Sequence, residues 1–309
     1  MVNECDATPV EVNSIIQESQ NLVNVSSEIF NIQIDRSCTA SDIKKYAAQG
    51  YKVYVINLPI ANARREAMVK QLDEAGIEYE IFNATDGYKV KIKNLKQEFF
   101  GSDIKNGSAK IEESVRHKIT CNPDDENPLE FNYEGSVNHK LRTLSAGEIG
   151  IWCSYISIWK DAQKNGHTKI IIFEDDIVLK GNNPKQAIDN FVTHVPENFD
   201  LAYLDLHQVK GSQFALTDNE YVNKFSDDSF GYGTWSIMYS NIAIQKLLSL
   251  DYYTYPIDDY LWSLIGRHDC VRNCYDPHVG LLTAYVSSVD LLDTLTLTGD
   301  YSIHAMGRM

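Results

Sequence analysis

The apolar run Ile170-Ile171-Ile172-Phe173 passes without a spacer into Glu174, Asp175 and Asp176. Three adjacent carboxylates repel one another and raise each other's pKa unless a cation or strong hydrogen-bond donors offset the charge. Ligands of open α/β sheets bind beyond the carboxyl ends of the strands, so a divalent ion has a physical motive to sit there. A ligand set made only of oxygens suits Mg²⁺ or Mn²⁺, which keep several waters and share substrate phosphates. The plainer alternative is a turn in which one acid caps the backbone and the others face water. His207 and His278 are each open to a late ligand role or to an ordinary structural one.

Such a cluster needs rigid elements to hold it. Tyr51 to Leu58 is a β-branched run without alternation, which predicts a strand buried on both faces, ended by Pro59. Asn62 is the expected cap of a helix through Ala75, with Met68, Leu72 and Ala75 as its apolar stripe and Gly76 as its stop. A second strand over Ile77 to Phe82 completes a βαβ unit, which feeds a parallel sheet. Ser145 and Glu148 form a capping box, and Ile149, Trp152, Cys153, Ile156 and Trp159 then fall on one helical face. That makes the two tryptophans core residues rather than sugar platforms. Lys169 to Phe173, Asp200 to Leu206 and Thr234 to Tyr239 are further strands, the last passing at Ser240 into a helix ending near Leu250. The grammar is α/β with a mostly parallel central sheet. Residues 1–50 are expected as an N-terminal helical extension, 51–290 as the main domain with a polar insertion over 88–143, and 291–309 as a surface tail.

Composition narrows the partners. The 43 acidic residues outnumber the 28 basic ones, for a net charge of −15 over 309 residues, and no Lys/Arg block occurs. Binding that tracks nucleic-acid phosphates, or polybasic docking on an anionic bilayer, is therefore disfavoured. No stretch approaches 18 apolar residues, and Met1 to Pro9 has neither a basic nor an apolar leader region, so a soluble cytoplasmic protein without a membrane span is expected. A place at the membrane periphery is compatible with this where its partner is lipid-linked. Six cysteines, at 5, 38, 121, 153, 270 and 274, include no C-x-x-C pair. Free thiols are expected, with Cys270 and Cys274 as an alternative disulfide or metal pair.

Six segments stand in a telling order: Val55-Ile56-Asn57-Leu58, Arg64-Arg65, Phe82 to Gly87 (FNATDG), Leu144 to Gly150 (LSAGEIG), Phe173 to Asp176 (FEDD) and Pro256-Ile257-Asp258. In that order and register the chain resembles glycosyltransferase family 25, which includes bacterial lipooligosaccharide galactosyltransferases and the collagen galactosyltransferases. The resemblance covers residues 51–290. It implies a GT-A, Rossmann-like fold and transfer of a hexose, galactose foremost, from a UDP-sugar with inversion. The acceptor would be a saccharide or a hydroxylysine-type group.

The same resemblance implies roles for individual residues. Asp176, with Glu174, would hold Mn²⁺ or Mg²⁺, and the ion would neutralise the diphosphate as leaving group. Asp175, Asn57, Arg64, Asn83, Asp86, Gly87 and Glu148 would contact the donor. Arg64 and Arg65 also read as two solvated helix charges, and Ser145 with Glu148 is already explained by the capping box. Asp258 would be the general base, with Asp259 its immediate rival; a helix N-terminus there would favour the ionised form. Both acids also read as a simple helix start. Small residues in Gly231-Tyr232-Gly233-Thr234 would admit a sugar closely. One departure is Ser154-Tyr155, where many members carry Ser-His. Two other classes compete: a Mg²⁺-dependent phosphohydrolase, disfavoured because Glu174 and Val178 stand where Asp and Thr are wanted, and a sugar-nucleotide-binding protein without turnover.

Overall fold

The computed structural model describes residues 50–93, 98–100, 116–121, 129–132, 135–137, 140–142, 144–208, 214–225, 231–250, 253–254, 256–266 and 280–294. All lie within one compact unit, residues 40–309. The extension expected over 1–50, apart from Gly50, lies outside the described residues, as do Cys270, Cys274 and His278.

An eight-stranded sheet forms the centre: β1 (Lys52–Asn57), β2 (Glu80–Asn83), β3 (Lys169–Glu174), β4 (Leu201–Tyr203), β5 (Phe214–Leu216), β6 (Val222–Phe225), β7 (Ser236–Ser240) and β8 (Ala284–Ser287). Their spatial order is β5-β6-β8-β4-β7-β3-β1-β2. β2, β1 and β3 are parallel neighbours, as are β4 and β8. β7 runs antiparallel between β3 and β4, and β6 runs antiparallel to both β8 and β5. The sheet is thus mixed, with β6 and β7 set against the other six strands. Both β7 and β6 are too short for their direction to be written in a hydrophobic pattern.

Burial on both faces explains the unalternating runs. Val53, Val55, Ile171 and Phe173 pack with Met68 and Leu72 of α1 (Asn62–Ala75) and with Ile188 and Phe191 of α3 (Pro184–His194). Their neighbours Tyr54, Ile56, Ile170 and Ile172 face the other way, onto α2 (Ala146–Lys164), α4 (Asn241–Leu248) and α5 (Ile257–Ile265). Trp152 and Trp159 are fully buried in that second layer, edge to face at 6.4 Å, which makes them core.

The helix ends follow local chemistry. The capping box at Ser145 and Glu148 is present, and Ser240 caps α4 through the Ala243 N–H. Gly76 ends α1 in the left-handed region at φ 67°. Asn62 is the first helical residue rather than the cap; the Ala61 N–H bonds back to Leu58 at 2.8 Å, and this turn sets the helix start one residue earlier.

The polar insertion forms strands after all. Lys91–Lys93, Glu98–Phe100, Arg116–Thr120 and Leu129–Asn132 build a small sheet that Tyr253–Thr254 joins in parallel. Runs of three to five residues are too short to establish a period. Beyond residue 290 the expected surface tail begins instead with a paired strand, Leu292–Thr294 against Ile177–Leu179, with Leu291 and Leu292 buried. Two leucines could not signal that in sequence. Cys121 and Cys153 form a disulfide, with Cα atoms 5.4 Å apart, where free thiols were expected. The 32-residue separation hides a contact that exists only because the small sheet folds onto α2.

Candidate functional site

Four strand exits build the candidate site. Asn57 and Asn83 are the last residues of β1 and β2 and lie in register, and Glu174 is the last residue of β3. Asp205 follows β4. This is the edge at which open α/β sheets bind ligands.

The acidic triplet is divided because the strand ends within it: Glu174 is the last residue of β3, and Asp175 and Asp176 form the turn that follows. Glu174 turns toward α2. Its Oε1 accepts a 2.7 Å bond from the Thr234 hydroxyl and lies 3.3 Å from the Tyr155 hydroxyl, which itself donates to the Thr234 carbonyl at 2.7 Å. Burial, and next the charge of Asp176, push the Glu174 carboxyl up to about 7; the two hydroxyls act the other way. Asp175 turns toward α1. Its Oδ1 lies 3.3 Å from Arg64 Nη1 and its Oδ2 accepts a 2.6 Å bond from the Asn57 amide. Burial outweighs both partners and pushes this carboxyl up to about 6.

Three residues expected on the donor thus meet one another. Arg64 and Asn57 are buried, so the reading of Arg64 as a solvated helix charge fails, while Arg65 is exposed and keeps it. Asn57 Oδ1 and Arg64 Nε are buried without a hydrogen-bond partner among the described residues.

Whether the acids fit a metal follows from this division. Among the described residues no three His, Cys, Asp or Glu side chains converge on one point. Asp175 is engaged elsewhere, which leaves Glu174 and Asp176, close enough for one charge to perturb the other. A pair of carboxylates does not make a closed cage. It does suit Mg²⁺ or Mn²⁺ of the kind bound by one or two carboxylates together with substrate phosphates.

On the far side of β1, residues 84–88 lie against the start of α2. Asp86 caps the short turn Gly87–Lys89 by accepting the Tyr88 N–H at 3.0 Å. A Cβ on Gly87 would stand 1.6 Å from the Ala146 carbonyl oxygen, and one on Gly150 would stand 2.6 Å from that of Thr85. Only glycine lets these backbones approach. Ser154 strengthens the contact, accepting the Thr85 N–H at 2.8 Å. A pocket of about 390 Å³, its open mouth included, lies here, lined by Ile56, Leu58, Thr85, Asp86, Gly147 and Ile151 among others. Asn83 is exposed at the end of β2.

The third group gathers at two helix N-termini. Glu148 Oε2 accepts the Ser145 N–H at 2.7 Å, completing the cap of α2. Asp258 and Asp259 stand half-buried in the first turn of α5. Burial, then the charges of Asp259 and Glu148, push the Asp258 carboxyl up to about 6. The expected help from the helix N-terminus is therefore outweighed by desolvation. Buried tyrosines connect this group to the triplet: Tyr203 feels Asp258, and Tyr239 feels both Tyr203 and Glu174.

Sequence reasoning missed several contacts. In sequence Tyr155 stands out only as a departure from the family pattern and Thr234 only as a strand start beside glycines, yet both touch Glu174. The Trp235 indole N–H donates to Asp205 at 3.1 Å, and burial raises the Asp205 pKa. No spacing rule links residues 30 apart. The backbone of His207 lies in a two-residue strand paired with Gly231–Tyr232.

The chain is similar in sequence to known proteins. The family model described as "Glycosyltransferase family 25 (LPS biosynthesis protein)" matches residues 51–249. "Inactive glycosyltransferase 25 family member 3" of Mus musculus is 26% identical over 233 residues, 73% of this chain and 34% of that protein. "Procollagen galactosyltransferase 2" of Homo sapiens is 24% identical over 276 residues, 84% of this chain and 38% of that protein. The chain thus spans little more than a third of the length of these relatives. A crystal structure of a glycosyltransferase involved in glycosylation of the major capsid of PBCV-1 aligns over 84% of this chain and 97% of its own, at 10% identity and a TM-score of 0.36. The family match spans more than half of the 309 residues, from the first strand of the sheet to the helix after β7: the chain belongs to glycosyltransferase family 25.

Proposed function

We propose that the chain is a metal-dependent hexosyltransferase of GT-A type that moves galactose from UDP-galactose to a saccharide or hydroxylysine-type hydroxyl, with inversion. The observation that carries this reading is the place of two carboxylates at one strand exit: Glu174 ends β3 and Asp176 stands two residues on, in the turn that follows. Half-buried acids in mutual repulsion gain from a divalent ion, and an ion with open positions is completed by a diphosphate. When bound, Mn²⁺ or Mg²⁺ supplies charge that stabilises the departing diphosphate.

The chain's own residues do the rest. The largely apolar pocket between residues 84–88 and α2 takes the planar base, with Asp86 in its lining. Asp258 accepts the proton of the acceptor hydroxyl as that oxygen bonds to the anomeric carbon. The bond from that carbon to the diphosphate oxygen breaks on the opposite face, and UDP leaves with the electron pair. A base with a pKa near 6 is ionised at neutral pH yet basic enough to take a proton. The disulfide between Cys121 and Cys153 favours an oxidising compartment over the cytoplasm. Among the described residues no helix is long and apolar enough to cross a membrane.

A second reading, a sugar-nucleotide-binding protein without turnover, is favoured by one observation: Asp175 has both oxygens engaged by Arg64 and Asn57. Incubating the chain with UDP-galactose, UDP-glucose and UDP-N-acetylglucosamine, Mn²⁺ and a panel of acceptors separates the two. A transferase releases UDP only when acceptor is present. A binder shifts its melting temperature with UDP-sugar and releases none.

A further inference from the structure

We propose that Tyr155 is a positioning residue for the cation site, acting through Glu174. The inference rests on the functional reading above and extends it to a residue on a different element. Tyr155 stands in the middle of α2, fully buried, its ring edge-on to Trp159 at 6.0 Å and to Tyr239 at 6.4 Å. An aromatic packed on both sides has no freedom to swing, so its hydroxyl is a fixed point. That hydroxyl donates to the Thr234 carbonyl at 2.7 Å and lies 3.3 Å from Glu174 Oε1. Thr234 closes the triangle from the segment entering β7, donating its own hydroxyl to the same Oε1 at 2.7 Å.

The triangle joins three elements at one carboxylate oxygen: α2 through Tyr155, the segment entering β7 through Thr234, and the end of β3 through Glu174 itself. The backbone is stitched at the same place, since the Glu174 N–H bonds to the Trp235 carbonyl at 2.9 Å. Oε1 is thereby directed into the protein, and the carboxylate is held in one rotamer. A carboxylate fixed by the Thr234 hydroxyl, and by the minor branch of a Tyr155 proton shared with the Thr234 carbonyl, meets an ion without losing side-chain freedom on binding; groups that orient ligands in this way are typically worth about 10- to 100-fold in metal affinity. Tyr155 touches neither donor nor acceptor in this account; its role is to hold Glu174 toward Asp176.

The test is a direct Mn²⁺ titration in the presence of saturating UDP, read by calorimetry or by the loss of the free Mn²⁺ electron-spin signal, with no turnover required. Tyr155→Phe keeps the ring and removes the hydroxyl; Thr234→Val removes the other donor, and Thr234→Ser restores it. The expected result is about tenfold weaker Mn²⁺ binding for Tyr155→Phe and for Thr234→Val, with Thr234→Ser close to the parent. In a Glu174→Gln background Tyr155→Phe should change Mn²⁺ affinity no further, because the residue acts through that carboxylate. Equal Mn²⁺ affinity in Tyr155→Phe and parent overturns the proposal and leaves the functional reading standing. So does an undiminished Tyr155→Phe effect in the Glu174→Gln background, which would mark the tyrosine as a packing residue. A parent chain that shows no Mn²⁺-dependent UDP binding overturns both. If Tyr155→Phe does not fold, the Thr234→Val and Thr234→Ser pair decides: tenfold loss with rescue supports the triangle, and unchanged affinity overturns it.

Discussion

Arg64 Nη1 lies 3.3 Å from Asp175 Oδ1, with only 10% and 8% of the two side chains exposed. The pair joins α1 to the exit of β3, and Asn57 of β1 supplies the remaining bond. Removing one partner of a buried ion pair leaves a charge that neither water nor protein solvates, at a cost of about 3–5 kcal/mol. Arg64→Ala should therefore lower unfolding free energy by about that amount in a urea titration. Replacing both residues with apolar ones of similar size should cost distinctly less. An unchanged midpoint for Arg64→Ala would show that the arginine serves the ligand and not the fold.

Asp176 should behave differently. Its role is assigned to the ion, so Asp176→Asn is expected to keep the melting temperature within a few degrees and to abolish Mn²⁺-dependent binding of UDP. Isothermal titration with UDP at fixed Mn²⁺ checks it. Binding with undiminished metal dependence would return the acidic triplet to the status of a hydrogen-bonded turn.

Gly87 and Gly150 make a steric prediction. A methyl group on Gly87 would overlap the Ala146 carbonyl oxygen at 1.6 Å, a backbone atom held inside the first turn of α2. Overpacking of this kind costs about 1–3 kcal/mol or more. Gly87→Ala should lower the melting temperature and weaken UDP binding together, since the same loop lines the pocket. Gly166→Ala, where a Cβ meets nothing within 4 Å, should leave UDP binding alone and show only the strain of its φ of +68°.

Much of this was legible in the chain. The runs at Val53–Ile56 and Ile170–Phe173 have no alternation because both faces are covered, and the Ser145–Glu148 box gave the start of α2 to the residue. The order of short motifs pointed to the family before any geometry. What sequence did not carry is pairing across distance. Glu174, Tyr155 and Thr234 are separated by 19 and 60 residues, and nothing at one position encodes the others. Three consecutive acids look like a single cluster in sequence, whereas the end of β3 directs Glu174 to Thr234 and the turn after it directs Asp175 to Arg64. The dipole argument for Asp258 had the right location and the wrong balance, because burial and the charges of Asp259 and Glu148 act in the opposite direction.

That balance fixes a pH dependence. Asp258 titrates at about 6 when folded, against the ordinary 3.8. Between those values the folded state holds a proton that the unfolded state has released, so this group's contribution to stability is full below about pH 4 and is lost as pH rises through about 6. Asp258→Asn should flatten that segment of the stability profile in urea titrations from pH 4 to 7. A profile unchanged by the substitution would mean that Asp258 is not desolvated.

In the proposed reaction an acceptor hydroxyl, activated by Asp258, displaces UDP from a hexose at a metal-dependent site. The most direct measurement is a transfer assay with UDP-galactose, Mn²⁺ and hydroxylysine or saccharide acceptors, with the product's anomeric configuration read by NMR. The expected result is a β-linked product from the α-linked donor and one UDP per transfer, with loss of activity in EDTA. Asp258→Asn should bind UDP-galactose normally while losing about 10²- to 10⁴-fold in rate. Retention of configuration, full activity in EDTA, or an Asp258→Asn variant as fast as the parent would contradict it.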